Sequence, residues 1–578
     1  MENPERITYF AETDARNKRE RFGIKAKDRS KHMYVIGKTG MGKSTLLENM
    51  AVQDIQNGEG IAFIDPHGSS ADKLLEYVPK ERINDVIYFA PFDMEHPVAF
   101  NVMEDVGYDK RHLVVSGLMS AFKKIWVDAW SARMEYILSN TLLALLEYPD
   151  STLLDVNRMY TDKPFRKKVV ENIKDPLVKS FWIDEFATYT DRYTQEATPA
   201  IQNKVGQFTS NPLVRNIVGQ ATSTFDLRKI MDEKKIFIAN LSKGRIGETN
   251  ADLLGSMLTT KIYLSAMSRA DLPAAAQAKL PSFYFYVDEF QSIANESFAD
   301  ILSEARKYKL ALIIAHQYVE QMEEDVRNAV FGNVGTTVTF RVGPFDAELL
   351  EVIYQPQFMA TDLVNLSFAQ IYLTLMIDGV GSKPFSAITL PPIAPPHISY
   401  RDQAVIHSQR TYGRSRGEVE QAIQKRTERL PEEKKQVAQS GDRRPPQQGR
   451  SEYRPNANTN QRAHAPRSPQ HSPQKNVERE RPPIQDRKHT EHREPTVEEL
   501  RAKMIAVTKQ EIQKPKEKPR DDKGPTEENR SELRSALRGI LDAQKQSVAQ
   551  PATEAEKQQP RSEIPPAELK KILGIDEK

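Results

Sequence analysis

Across 31–395 short apolar runs alternate with stretches whose apolar residues recur at helical spacing, the pattern of strands joined by helices. The strand-like runs are 33–37, 61–65, 86–90, 235–241, 283–288, 310–315, 336–342 and 369–377. Such alternation predicts an α/β fold with a mostly parallel sheet. The pair 371–377 and 385–390, with Asp378-Gly379 between them, predicts a hairpin at the sheet edge. From 105 to 232 no strand-like run occurs, while Leu138, Leu142, Leu145 and Leu146 share one helical face. The reading is an all-helical subdomain at 105–232, inserted between the two parts of an α/β domain, 22–104 and 233–397, with 1–21 as an N-terminal extension.

Beyond 397 the pattern stops. Residues 398–578 are rich in Pro, Gln, Arg, Glu and Ser and poor in large apolar side chains, so burial offsets little of the ordering entropy and a disordered tail is expected. Three pieces keep helical spacing, 497–514, 527–545 with Leu533, Leu537, Ile540 and Leu541 on one face, and 566–575, and are read as docking segments or as transient helix. Charge divides the same way: the formal +2 is the sum of about +9 over 401–578 and about −7 over 1–400. The 578 residues contain no cysteine, which removes disulfides, zinc–thiolate sites and cysteine nucleophiles together. No apolar run approaches the roughly 20 residues of a membrane helix, and the start has no signal-peptide pattern. A cytoplasmic protein is expected, reaching a membrane only through a partner.

The chemistry begins where the first strand ends. Gly37-Lys38-Thr39-Gly40-Met41-Gly42-Lys43-Ser44 follows the apolar run 33–36 and leads into a helix through Thr45. In a P-loop the glycines let backbone N–H groups curl around phosphate oxygens, Lys43 supplies a point charge and the Ser44 hydroxyl ligates magnesium. Residues 37–45 are therefore the expected nucleotide-binding segment. A second carboxylate site lies at the end of Phe283-Tyr-Phe-Tyr-Val-Asp288-Glu289: Asp288 is placed to serve magnesium beside Ser44, and Glu289 to orient or deprotonate the attacking water. Gln317, at the carboxyl end of the next apolar run, is the expected phosphate or water sensor, and neighbouring His316 is read as a packing residue. Asp65-Pro66-His67-Gly68 also fits the DxxG pattern of GTPases, but no guanine-selecting NKxD string accompanies it and Asp288-Glu289 fills the magnesium side, so ATP with Mg²⁺ is the expected pair.

Taken in order, Phe22-Gly23-Ile24-Lys25, Asp28-Arg29-Ser30-Lys31-His32-Met33, the P-loop, Ile64-Asp65-Pro66-His67-Gly68, Asn240-Leu241-Ser242-Lys243-Gly244, Val287-Asp288-Glu289-Phe290 and Ala305-Arg306-Lys307-Tyr308 resemble the type IV secretion coupling proteins of the TraG/TraD type, and more widely the HerA/FtsK group of DNA-pumping ATPases. The resemblance covers about 22–395. It implies a RecA-like P-loop ATPase, a homo-hexameric ring that hydrolyses ATP between subunits, and DNA as the partner moved through the channel. It further implies Glu289 as catalytic acid/base, Gln317 as sensor and an arginine supplied by the neighbouring subunit, with Arg306 matching that position and Arg29 as a second candidate; Arg327 and Arg341 are weaker ones. Lys243-Gly244-Arg245 is a candidate for DNA phosphates, and the tail for relaxase or secretion-channel proteins. Two alternatives accompany this reading, a HerA-like DNA-processing ATPase and an ATP-gated scaffold.

Overall fold

The computed structural model describes residues 3–428 except 15–17, 105 and 296. Its strands are β1 (Ile7–Thr13), β2 (Arg21–Lys25), β3 (Met33–Ile36), β4 (Gly60–Asp65), β5 (Val86–Phe89), β6 (Ile236–Asn240), β7 (Phe283–Val287), β8 (Leu310–His316), β9 (Thr336–Thr339), β10 (Gln370–Thr374), β11 (Met376–Ile377), β12 (Val380–Gly381) and β13 (Phe385–Thr389). Eleven of them form one sheet in the order β2-β1-β13-β10-β9-β3-β8-β7-β4-β6-β5. The seven strands from β9 to β5 run parallel, and the four on the other side pair antiparallel.

Period-two alternation sets the layers. In β3, Met33 and Val35 join the core beneath helix α1 (Lys43–Gln56), whereas Tyr34 and Ile36 join the core on the opposite face. Both faces are covered, so the central strands are buried at every position and read as unbroken apolar runs. The second core is built largely from helices between β5 and β6, among them Arg111–Ile125 and Ala132–Glu147, where Leu138, Leu142, Leu145 and Leu146 are buried as their spacing predicts. Among the described residues of 106–235 there is no strand.

The structure corrects three expectations. The β10–β13 pair does form, but inside the sheet, because β1 pairs with β13 and β2 closes that side. The Asp-Gly turn instead joins the small β11–β12 ribbon, where Asp378 (φ 52°) and Gly379 (φ 83°) take the left-handed conformations that a tight hairpin requires. Of 1–21, expected as an extension, Ile7–Thr13 supplies β1, which lies inside the sheet between β2 and β13. Residues 401–428, expected in the tail, contain the helices Arg401–Tyr412 and Arg416–Thr427. The first covers the other sheet edge, with Ala404 and Ser408 buried and the Tyr88 N–H of β5 donating to Ser408 Oγ at 2.8 Å. An edge strand's unpaired N–H groups need such a cover. The segments 497–514, 527–545 and 566–575 lie outside the described residues. No described helix is long and apolar enough to cross a membrane.

Candidate nucleotide site

Parallel strands place their carboxyl ends side by side, and strand order arranges the chemistry. Reading across β3, β8, β7, β4 and β6, the residues just past the strand ends are the P-loop, Gln317, Asp288-Glu289, Asp65 to Gly68, and the loop to Lys243. Lys43, Ser44, Asp288, Glu289 and Gln317 therefore meet at one end of the sheet, whereas Arg29 and Arg306 precede β3 and β8 at the other.

The P-loop is shaped by glycine where other residues fail. Gly40 (φ 77°) and Gly42 (φ 114°) lie in the left-handed region, and Gly42 caps α1. Lys38 N–H donates to Arg341 O at 2.8 Å, tying the loop to the segment after β9. The Lys43 ammonium folds back onto the Gly37 carbonyl (2.6 Å) and the Lys38 carbonyl (3.2 Å) inside the loop. Burial lowers its pKa, while Glu289 and Asp288 act in the opposite sense. Thr45 is half-buried in the first turn of α1.

Ser44 Oγ donates to Asp288 Oδ2 at 2.8 Å, so the two expected magnesium ligands touch. Burial raises the Asp288 pKa; the Ser44 hydrogen bond opposes this, and the nearby Glu289 and Asp65 charges add to it. Glu289 adopts φ 48°, ψ 49°, an unfavourable conformation for a residue with a side chain. Its carboxylate accepts from Gln317 Nε2 and from Gln291 Nε2, and His67 Nε2 lies 3.7 Å away. Gln317 Oε1 in turn accepts from Thr39 Oγ1 at 2.9 Å. Gln317 thus bridges the P-loop to Glu289. Thr39 was expected as part of the nucleotide-binding segment 37–45, whereas sequence spacing missed His67, which strand order brings to Glu289, and Gln291, which the left-handed turn at Glu289 folds back onto it.

The DxxG reading loses its key group. Asp65 accepts from the His67 N–H (2.8 Å) and the Ala71 N–H (2.9 Å), and so serves the first turn of helix α2 (Ser69–Glu76). Lys243, expected toward DNA, is committed to Glu248 and Asp252, both at 3.1 Å, and to Ser292 Oγ at 2.9 Å. Arg245 is exposed, its guanidinium 4.2 Å from the centre of the Phe92 ring. Arg327 makes a marginal 4.0 Å ion pair with Glu324, and Arg341 lies exposed at the P-loop rim with Nη2 3.3 Å from Met41 Sδ.

The two leading arginine candidates separate cleanly. Arg29 is 2% exposed and donates to Asp54 at 2.7 and 2.8 Å and to Tyr286 Oη at 2.7 Å, with its guanidinium 3.6 Å from the centre of the Tyr284 ring. It pins the far half of α1 to β7 and is closed to any nucleotide, which corrects its reading as a finger. Replacing it with methionine leaves the buried Asp54 with the Tyr286 hydroxyl but without its ion-pair partner, so urea denaturation should register a loss of about 3–5 kcal/mol. A lysine there restores little, since an ammonium lacks the planar fork. Arg306 is exposed in the turn preceding β8, at the end of the sheet opposite its own P-loop.

Two buried histidines flank this region. His316 bonds Tyr34 Oη through Nδ1 at 3.1 Å, and His32 Nδ1 accepts from the Leu312 N–H at 3.1 Å. Burial pushes His316 down to about 3 and His32 to about 4, with Lys43 adding to the first shift and Arg306 to the second. The unfolded chain therefore binds protons first as pH falls below 6.5, and stability drops from there down through the folded pKa values. Each histidine should cost about 2 kcal/mol between pH 7 and pH 5. Urea melts at the two pH values should show this loss, and His316→Gln should lose less than wild type.

Comparison with known proteins adds the family. The type IV secretion-system coupling protein DNA-binding domain matches residues 22–349, more than half of the chain. Among solved structures, the plasmid coupling protein TrwB in complex with ADP and Mg²⁺ is similar at 16% identity, with a TM-score of 0.49 over 69% of this chain and 98% of that one. An unbound form of the conjugative coupling protein TrwB matches at 15% identity and a TM-score of 0.48 over 64% and 88% of the two chains. VirB4 of Thermoanaerobacter pseudethanolicus matches at 14% identity and 0.43 over 70% and 99%. No curated protein matches. With the family's match running from β2 through the P-loop and the Asp288-Glu289 turn to the segment beyond β9, the chain belongs to the type IV secretion-system coupling proteins of the TraG/TraD type.

Proposed function

We propose that the protein is a magnesium-dependent ATPase that drives DNA translocation as the coupling motor of a conjugative type IV secretion system, with its sites completed between subunits of a ring. The observation that carries this reading is the Ser44–Asp288 contact beside a Glu289 carboxylate that Gln317 links to the P-loop. Family membership brings DNA as the partner.

The donors fit magnesium. Among the described residues no cluster of three His, Cys, Asp or Glu side chains stands ready for a metal. A hydroxyl and one carboxylate, both oxygen donors, suit an ion that takes its remaining ligands from phosphate and water. Bound there, magnesium would neutralise charge on the phosphate oxygens. Glu289 accepts the proton of the attacking water, Gln317 orients that water against the P-loop, and Lys43 leaves its own loop carbonyls for the phosphates. Arg306 of an adjacent copy supplies the remaining positive charge. The absence of a guanine-selecting NKxD string favours ATP over GTP.

Phosphate release by the full chain with ATP or GTP, with magnesium or with chelator, tests the nucleotide and metal assignments. ATP turnover lost on chelation supports them. Preference for GTP, or full turnover without the metal, contradicts them.

A further inference from the structure

The turn that carries Glu289 is gripped from outside the nucleotide pocket. After the left-handed Glu289 comes the short helix Phe290–Ile293. The Ile293 carbonyl accepts from Ser256 Oγ at 3.1 Å, and Ser292 Oγ accepts from Lys243. The remaining hold comes from Lys124, whose ammonium donates to the Gln291 carbonyl at 2.5 Å and also to the Ala294 carbonyl. Lys124 lies in the last turn of the helix Arg111–Ile125, between β5 and β6, and no nucleotide-site residue lies near it in sequence.

Its placement is fixed. Helix Arg111–Ile125 packs along Glu248–Met267 with Gly117 at the crossing, where a Cβ would lie 2.2 Å from Thr260 Cγ2. The ammonium is desolvated there. Burial pushes it down to about 8, with Asp252 and Glu323 opposing the shift and Lys243 adding to it. A lysine held in this way is costly unless its carbonyl contacts matter. Those contacts lead straight to the chemistry, because Gln291, whose carbonyl Lys124 holds, donates through Nε2 to the Glu289 carboxylate.

Resting on the ATPase reading above, we propose that Lys124 is a positioning residue for Glu289, through which the helical segment between β5 and β6 governs the rate of hydrolysis. A displacement of helix Arg111–Ile125 withdraws the ammonium from the 291–294 carbonyls and frees the turn that aims Glu289. Binding of ATP, which rests on the P-loop, is left in place.

The test compares full-length wild type, Lys124→Met and Lys124→Arg for kcat, KM for ATP, thermal midpoint and amide hydrogen exchange over 289–294. Loss of a charged hydrogen bond to the turn should lower kcat by about 10- to 100-fold in Lys124→Met with KM changed less than about threefold. Exchange should quicken at 289–294, and Lys124→Arg should recover most of kcat. An active wild type whose kcat survives Lys124→Met overturns this proposal alone. So do losses that track the thermal midpoint in both variants, which mark a purely structural role. A wild type without turnover overturns the ATPase reading and this proposal with it.

Discussion

Glu289→Gln is expected to lower ATP turnover by about 10²- to 10⁴-fold while leaving nucleotide affinity within about threefold of wild type. Glutamine keeps the size of the side chain and its ability to bond Gln317, but it cannot take a proton from water. The phosphate-binding groups are separate from it. The loop glycines belong to the turn after β3, and Lys43 and Ser44 to the first turn of α1. Lys43→Ala should therefore differ in kind, losing nucleotide affinity together with turnover. Equilibrium binding of a fluorescent ATP analogue beside steady-state phosphate release separates the two. A Glu289→Gln protein that turns over normally would remove the acid/base role.

Arg306→Ala is expected to lose turnover on the order of 10³-fold, the scale on which arginine fingers act in P-loop enzymes. It should regain part of it when mixed with Lys43→Ala. Arg306 precedes β8, whereas Gln317 and the phosphate side follow it, and seven extended residues span about 20 Å. Arg306 cannot reach its own P-loop, so any catalytic role acts on a neighbouring copy. In a mixed assembly the Arg306→Ala subunit keeps an intact pocket and the Lys43→Ala subunit keeps an intact arginine. Random equal mixing should place the two correctly at about one interface in four, whichever ring size forms. Phosphate release from the mixture, compared with each variant alone, reads this directly. No gain on mixing would leave Arg306 as a surface residue.

How much of this was legible in the chain depends on how far apart the cooperating residues lie. The P-loop was plain because its glycines, Lys43 and Ser44 are contiguous and the flanking strand and helix are in register with them. Asp288-Glu289 and Gln317 were readable because each ends an unbroken apolar strand. Arg29 was not, since Asp54, Tyr284 and Tyr286 are remote in sequence and only the packing of α1 on β7 joins them. Lys124 carries no motif, only a place near the end of an amphipathic helix. The edge strand β2 and its neighbour β1 were hidden by their half-exposed pattern, and the helices 401–412 and 416–427 by a charged composition in which a few residues, Ala404, Ser408, Val419 and Ile423, do the burying.

The central claim is that DNA drives this ATPase, and the most direct measurement is steady-state ATP hydrolysis by the full chain, with and without single- and double-stranded DNA, across a salt series. Contacts to DNA phosphates predict stimulation that falls as salt rises and is absent from Glu289→Gln and Lys43→Ala. Turnover that ignores DNA at every salt concentration would contradict the motor and favour a nucleotide-switched scaffold.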